Sequence, residues 1–307
     1  MDGLFIPLSL LAGGLLAVQA GANTQLAKAT GSPFAATTIQ VGIAGTLLLI
    51  IAAVTGTLFA FGSLAGVPWW HASGGIATAI YVASTILLFP RLGAVVTVGL
   101  FIAGQMLASL ALDTFGVLGV PQQPLQASTA IGGLAVLGGA AAIMLGQQGA
   151  ANALSARLAG WTLLALVAGG VLPVQGAING LLRSDIGAPF VVGTISFAVA
   201  TTATTLLLLV TMALSDAPKP QLAGLARMPW WGWLGAACGA TYVTTVFTAI
   251  PVIGTAAAVG LTVAWQQIAS LFVDRYGWFR LPRREISALR LAGVALLLIG
   301  VGLIQFL

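Results

Sequence analysis

Two pairs of amide side chains with the same spacing are the residues of this sequence best suited to bind a solute. Gln19 and Asn23 are four residues apart, and Gln175 and Asn179 repeat the arrangement in the second half of the chain. Residues four apart lie on one face of an α-helix. Because an amide offers two donors and an acceptor, the four together would hold a polar or cationic solute without adding charge. The alternative is a structural role, in which the same amides hydrogen-bond across helices.

A second polar stripe is duplicated in the same way. Its first copy consists of Gln105, Ser109 and Asp113, and its second copy of Gln266, Ser270 and Asp274. The two glutamines are candidate substrate-binding residues, whereas the serines and aspartates are candidates for gating or for binding a coupling proton. A carboxylate at the C-terminal end of a helix opposes the helix dipole, so each aspartate needs a partner. For Asp274 we expect that partner to be the neighbouring Arg275 and the basic loop beyond it.

Three aromatic residues lie close to these amides in the sequence or in matching segments. They are Tyr81, Tyr242 and Trp265. Their rings would form a cation–π wall for an organic cation, or they would simply pack in the interior. Both roles remain open, and we include all three among the candidate substrate-binding residues.

The elements that position these residues must lie in a membrane. Of 307 residues, 59% are hydrophobic and only 6% are charged, whereas soluble proteins carry roughly 25% charged residues. This excludes a soluble enzyme, a nucleic-acid binder and a disordered chain. A single cysteine, Cys238, excludes an intramolecular disulfide, and a single histidine, His71, leaves a metal site without ligands. We therefore expect no catalytic residues, no metal and no cofactor.

Charges and prolines divide the chain into ten apolar segments of the length that crosses a bilayer, about 20 residues. The predicted spans are 4–27, 34–60, 69–89, 93–112, 126–147, 159–182, 190–213, 230–250, 255–273 and 287–306. The Trp-Trp dipeptides at Trp69 and Trp230 are expected to anchor the third and eighth spans at the headgroups. We expect His71, which follows the first dipeptide, to be an incidental residue at that interface.

The basic residues indicate the orientation of these spans. Ten of the eleven Lys and Arg residues lie in the loops after spans 1, 3, 5, 7 and 9, and the exception is Arg183. Cytoplasmic loops carry the excess of Lys and Arg. The prediction is a multi-pass protein of a bacterial-type inner membrane, with both termini extracytoplasmic.

An internal repeat covers nearly the whole chain. The segment from Gly13 to Gln19 recurs from Gly169 to Gln175, and further matches continue in order to the end of each half. Other matched pairs are Gly31 with Gly187, Pro68 with Pro229, Tyr81 with Tyr242, Pro90 with Pro251, Gln105 with Gln266, and Asp113 with Asp274. Because each half has five spans, the second half must enter the bilayer upside down. We predict an all-α integral membrane protein with two inverted five-helix repeats, residues 1–150 and 151–307.

The motifs of both halves resemble the YdcZ-like family of the drug/metabolite transporter superfamily. The resemblance rests on Gly13-Gly14 with Gln19 and Asn23, on the Pro68-Trp69-Trp70 opening, and on the run from Gly104 to Asp113 followed by Gly116 and Pro121. Members are often single five-helix units, so this chain resembles a fused tandem form. The superfamily resemblance implies a substrate cavity between helices 1–4 and 6–9, with helices 5 and 10 peripheral. Small multidrug-resistance relatives use a glutamate in the first helix, which this chain lacks.

Inverted repeats are typical of secondary transporters, whose halves rock about a site near the bilayer midplane. We therefore predict a secondary transporter, in the export direction by family analogy, that moves a small polar or cationic organic solute by alternating access. The expected partners are this solute and membrane lipid, with a coupling proton as a further candidate, without nucleic acid, in a monomer or homodimer. The alternatives are a flippase for a lipid or lipid-linked carrier and a non-transporting membrane scaffold.

Overall fold

A computed structural model describes residues 4–92, 94–145, 159–214, 219–281, 283 and 285–306 of the chain. Outside this description lie residues 150 and 151, at the predicted boundary between the repeats, and the basic residues Arg157 and Arg284. Within it the chain forms ten α-helices and no strand. They are α1 (Phe5–Thr30), α2 (Pro33–Val54), α3 (Ile76–Leu92), α4 (Ala94–Phe115), α5 (Ala127–Leu145), α6 (Ala159–Ile186), α7 (Pro189–Leu214), α8 (Leu234–Ile253), α9 (Thr255–Tyr276) and α10 (Ala288–Phe306).

Seven of the described helices are long and apolar enough to cross a membrane, and α5 and α10 contribute shorter apolar helices. Three predicted boundaries were wrong, and one of them is the start of the eighth span at residue 230, which falls in the 3-10 segment Trp230–Trp233 before α8. Helix α2 ends at Val54 rather than at residue 60, because Gly56 adopts a left-handed φ of 69° just beyond it. Two 3-10 segments, Leu58–Gly66 and Trp69–Gly75, then lead into α3. The predicted start of the third span therefore falls in a 3-10 segment.

The turn after the first helix of each repeat shows why the two halves fold alike. Gly31 ends α1 with φ 67°, and its counterpart Gly187 ends α6 with φ 69°. Glycine adopts this left-handed conformation at little cost and commonly ends helices. Proline then begins the next helix in both halves, at a position where its missing N–H is not needed.

Helices that are repeat counterparts pack against each other. Helix α2 packs on its counterpart α7, α4 on α9, and α5 on α10. Gly13 of α1 lies directly against the backbone of Thr262 in α9, and its counterpart Gly169 lies in the same way against Phe101 in α4. A side chain at either glycine would collide with a carbonyl oxygen. The chain is an all-α integral membrane protein, and the ten α-helices of its described residues form two inverted five-helix repeats.

The connections after α1, α3, α7 and α9 meet at one end of the bundle, which we call the basic end. The Gln221 N–H donates to the Thr30 carbonyl oxygen at 2.8 Å, and the Gln25 side chain donates to the Phe279 carbonyl oxygen at 2.8 Å. The guanidinium of Arg91 lies 4.1 Å from the ring centroid of Trp161 at the start of α6. The connections after α2, α4, α6 and α8 form the opposite end.

Candidate functional site

A cavity of about 260 Å³ lies between the two halves of the bundle. Its walls come from α1, α2, α3, α4, α6, α7, α8 and α9, so α5 and α10 take no part. Seven of the nine predicted substrate-binding residues line it: Gln19, Asn23, Tyr81, Gln105, Gln175, Tyr242 and Gln266. Three repeat pairs are complete among them, the glutamines of α1 and α6, those of α4 and α9, and the tyrosines of α3 and α8. We call this space the central cavity.

Three polar residues of the central cavity were missed in the sequence. They are Thr37, Gln40 and Thr78. Gln40 lies in the middle of an apolar helix, which is itself a signal for an interior polar contact. It escapes a search for duplicated residues because its repeat counterpart is Ser196.

The asparagines of the predicted quartet are held by the protein. Asn23 Nδ2 donates to Gln40 Oε1 at 3.2 Å, and Asn179 Nδ2 donates to Ser196 Oγ at 3.0 Å. The Oδ1 atoms of Asn23 and Asn179 lie against the α-carbons of Gly235 and Gly74, where any side chain would collide with them. Asn179 is fully buried and does not line the central cavity. Within the described residues, this pair forms interhelical contacts in both halves.

The glutamines have fewer contacts within the protein. Gln175 Oε1 is 3.5 Å from the Thr78 hydroxyl, which is a weak hydrogen bond at most. Gln19 Oε1 has no hydrogen-bond partner among the described residues. The Nδ2 donors of both asparagines are therefore engaged within the protein, whereas the Oδ1 atoms of Asn23 and Asn179, like Gln19 Oε1, are buried without a hydrogen-bond partner among the described residues.

Of the three aromatic candidates, two line the central cavity and one does not. The ring of Tyr81 lies 4.7 Å from that of Phe101, centroid to centroid, and both line the central cavity together with Tyr242. Trp265 instead packs against Gly14 of α1, is 41% exposed and does not line the cavity. The predicted aromatic wall is therefore reduced to the two tyrosines.

A second cavity, of about 280 Å³, extends from the central cavity toward the basic end. The two share Ala20, Val98, Ile102 and Gln266. The basic-end cavity is further lined by Thr24, Gln267, Ser270, Asp274 and Arg290. Together the two cavities form a path, lined by several polar side chains, from the middle of the bundle to its basic end.

The expected partners of Asp274 were Arg275 and the basic loop beyond it, and the structure pairs it with Arg290, which the sequence had placed in that loop. Its Oδ2 lies 2.7 Å from Arg290 Nη2, which is also 3.5 Å from Ser270 Oγ. Arg290 was assigned to a loop, but it lies in the first turn of α10 and is 6% exposed. Consecutive residues of a helix point about 100° apart, so Arg275 faces away from the side of α9 that carries Asp274.

Asp113 has a different partner at the opposite end. Its two carboxylate oxygens accept from the N–H groups of Thr255 at 2.7 Å and Ala256 at 2.6 Å. These residues begin α9, whose first N–H groups have no partner within the helix. The favourable N-terminal dipole of α9 offsets the unfavourable C-terminal dipole of α4. Ser109, one turn earlier, is fully buried and donates to the Gln105 carbonyl oxygen at 2.7 Å.

His71 was expected to be incidental, and this was wrong. It is 8% exposed, and its Nδ1 lies 2.5 Å from Asp185 Oδ2 at the end of α6. The contact joins the 3-10 segment before α3 to α6 at the opposite end. Trp69 and Trp230, at 83% and 75% exposed, are placed as the predicted headgroup anchors would be.

The two ends of the bundle differ around the cavities. At the opposite end, Gly176 of α6 packs on Val246 and Ile250 of α8, and Arg183 donates to the Thr248 carbonyl oxygen at 3.2 Å. Ala20, the repeat counterpart of Gly176, instead lines both cavities, and Thr24, the counterpart of the buried Gly180, lines the basic-end cavity. The path is therefore open toward the basic end and closed at the opposite end.

Comparison with known proteins agrees with this architecture. The family model described as "Putative inner membrane exporter, YdcZ" matches residues 4–142 and again residues 160–303. A solved structure titled "Crystal structure of protein" superposes with a TM-score of 0.67 at 15% identity, covering 98% of this chain and 95% of the other, which shows a shared fold. No curated protein matches the chain. With one family match in each half, the chain belongs to the YdcZ family of inner-membrane exporters, in the drug/metabolite transporter superfamily.

Proposed function

We propose that this protein exports a small polar or cationic organic solute from the cytoplasm by alternating access through the central cavity. The observation that carries the proposal is the different environment of equivalent residues. Ala20 and Thr24 line an open path, whereas Gly176 and Gly180 are packed against α8. Since the halves are inverted repeats, exchanging their conformations would close the basic end and open the opposite one.

The aspartates are proposed as the gates of this exchange. Asp113 holds the start of α9 at the closed end. Asp274 is its repeat counterpart, and the start of α4 at Ala94 is the counterpart of the start of α9. In the alternate conformation we expect Asp274 to leave Arg290 and accept from the first N–H groups of α4, while Asp113 releases α9.

The basic residues give the expected orientation of this state, and the export direction rests on the family. Positive loops mark the cytoplasmic side, so the open basic end would face the cytoplasm. A cavity that loads from the cytoplasm and then opens at the opposite end would export its solute.

The test uses two cysteines at equivalent positions in a Cys238→Ala background. Thr24→Cys lies on the open path, and Gly180→Cys lies in the closed half, where an added Cβ would be 3.6 Å from its nearest neighbours. A membrane-impermeant maleimide is applied to right-side-out and inside-out vesicles. We expect Thr24→Cys to react from the cytoplasmic side and Gly180→Cys to react slowly from the other side.

Asp113→Asn supplies the decisive comparison. Weakening the contact to α9 should raise the labelling rate of Gly180→Cys severalfold and lower that of Thr24→Cys. A scaffold without alternating access would leave both rates unchanged, and labelling of both cysteines from the same side would likewise overturn the proposal.

A further inference from the structure

The central cavity has an apolar lining interrupted by polar groups, and none of its described lining residues is charged. Its polar groups are amides and hydroxyls, among them Gln19, Gln105, Gln175, Gln266, Tyr81 and Tyr242. The nearest charged groups on the path are Asp274 and Arg290, which line the basic-end cavity and neutralise each other at 2.7 Å. The described residues that line the two cavities therefore supply no net charge to the site.

An uncompensated charge is poorly tolerated in such a place. Transfer of an ion from water into a low-dielectric interior is costly unless a counter-charge or several hydrogen bonds replace its hydration. Two tyrosine faces attract a cation weakly, and the amide quartet expected from the sequence is not available as a whole. The Nδ2 donors of Asn23 and Asn179 are bonded to Gln40 and Ser196, and their Oδ1 atoms are buried against Gly235 and Gly74.

The remaining groups suit a different ligand. A glutamine amide presents an N–H donor and a carbonyl acceptor side by side, so it pairs best with a ligand that offers the complementary acceptor and donor. Gln19 and Gln105 from the first half and Gln175 and Gln266 from the second half all line the cavity. The rings of the repeat counterparts Tyr81 and Tyr242 offer apolar faces to a flat or aliphatic part of the ligand.

We infer that the ligand of the central cavity is an uncharged organic molecule that carries both N–H donors and carbonyl acceptors, such as a small carboxamide. This rests on the proposed function, in which the central cavity is the substrate site, and it narrows the polar or cationic class to neutral molecules. The cavity volume of about 260 Å³ limits the ligand to metabolite size.

The experiment compares matched compounds that differ in charge. Purified protein is titrated with nicotinamide, 1-methylnicotinamide and nicotinate, which share a pyridine ring and are neutral, cationic and anionic. Valeramide, pentylammonium and valerate form an aliphatic series of the same design. Equilibrium binding is followed by saturable thermal stabilisation. We expect the neutral member of at least one series to bind at least tenfold more tightly than its charged relatives.

Charge placed in the cavity should reverse this preference. Gln266→Glu puts a carboxylate where both cavities meet, and at pH 8 it should favour the cationic member by at least tenfold over the neutral one. Gln126→Glu adds the same charge at an exposed position before α5 and should leave the preference unchanged. This control separates a local effect from that of net charge.

Each outcome decides a different question. Tighter binding of a cation or anion by the unsubstituted protein overturns the inference, as does the absence of saturable binding by either carboxamide. If a carboxamide binds while the cysteines at positions 24 and 180 show no alternation, the proposed function fails and the assignment of the ligand class stands.

Discussion

At the scale of single residues, the four-residue spacing predicted a shared helix face but not the contacts that each side chain makes. Gln19 and Asn23 both line the central cavity, yet the asparagine is committed to Gln40. Asparagine is one methylene shorter than glutamine, so its amide stays close to its own helix and meets the adjacent one. Such differences depend on which helix lies opposite, and the sequence of one helix does not contain that information.

Replacing members of one pair should separate packing from binding. Asn179→Ala removes the donor to Ser196 Oγ in a fully buried contact and should destabilise the protein by ~0.6–1.7 kcal/mol, the range of interhelical hydrogen bonds in membranes. Gln175→Ala should leave the thermal unfolding temperature near that of the unsubstituted protein, because its amide is only weakly held. Thermal unfolding of the purified variants measures the difference.

The binding assay gives the converse result. Gln175→Ala should weaken carboxamide binding, whereas Asn179→Ala, where folded, should retain it. Equal loss of stability in the two variants would show that the glutamine is also a packing residue.

At the scale of helices, ten spans and their breaks could be predicted because apolar length and the positions of glycine and proline are local properties. The 3-10 segments before α3 and α8 could not. The sequence predicts that the third and eighth spans open at Pro68-Trp69-Trp70 and Pro229-Trp230-Trp231. In the structure, 3-10 turns follow each proline. The partner of Asp113 was also hidden, since the α9 N-terminus is 142 residues away in the chain.

The peripheral pair α5–α10 depends on glycines in close contact. A Cβ atom at Gly139 would lie 2.6 Å from the Gly293 carbonyl oxygen, whereas one at Gly138 would meet only the end of the Leu296 side chain, at 3.3 Å. Gly139→Ala should therefore destabilise the protein by ~1–3 kcal/mol, the usual cost of overpacking. Gly138→Ala is the matched control and should cost far less.

Thermal unfolding together with size-exclusion chromatography measures both glycine variants. If Gly139→Ala and Gly138→Ala had the same unfolding temperature, α5 and α10 could move apart without a loss of stability. That result would contradict the close backbone packing of these two helices.

At the scale of the whole molecule, the inverted repeat was readable from matched residues in the two halves, but its asymmetric state was not. Gly176 and Ala20 are both small, and nothing in either residue indicates which half is packed. The state depends on contacts that lack a counterpart, such as Arg183 with Thr248 and Arg290 with Asp274. Because the two halves have similar sequences, the bundle can open at either end. Only the residues that differ between the halves favour one of these two conformations.

The orientation links this asymmetry to the direction of transport. All described Lys and Arg residues except Arg183 lie toward the basic end, so we expect that end in the cytoplasm and both termini outside. Alkaline phosphatase fused after Leu307 folds only outside the cytoplasm and should be active, whereas a green fluorescent protein fusion there should be dark. A fusion ending after Lys219, in the connection between α7 and α8, is the matched control and should give the reverse pattern. Fluorescence from the C-terminal fusion would show that the open path faces away from the cytoplasm. The proposed loading step would then be reversed, whereas the cavity and its ligand class would be unchanged.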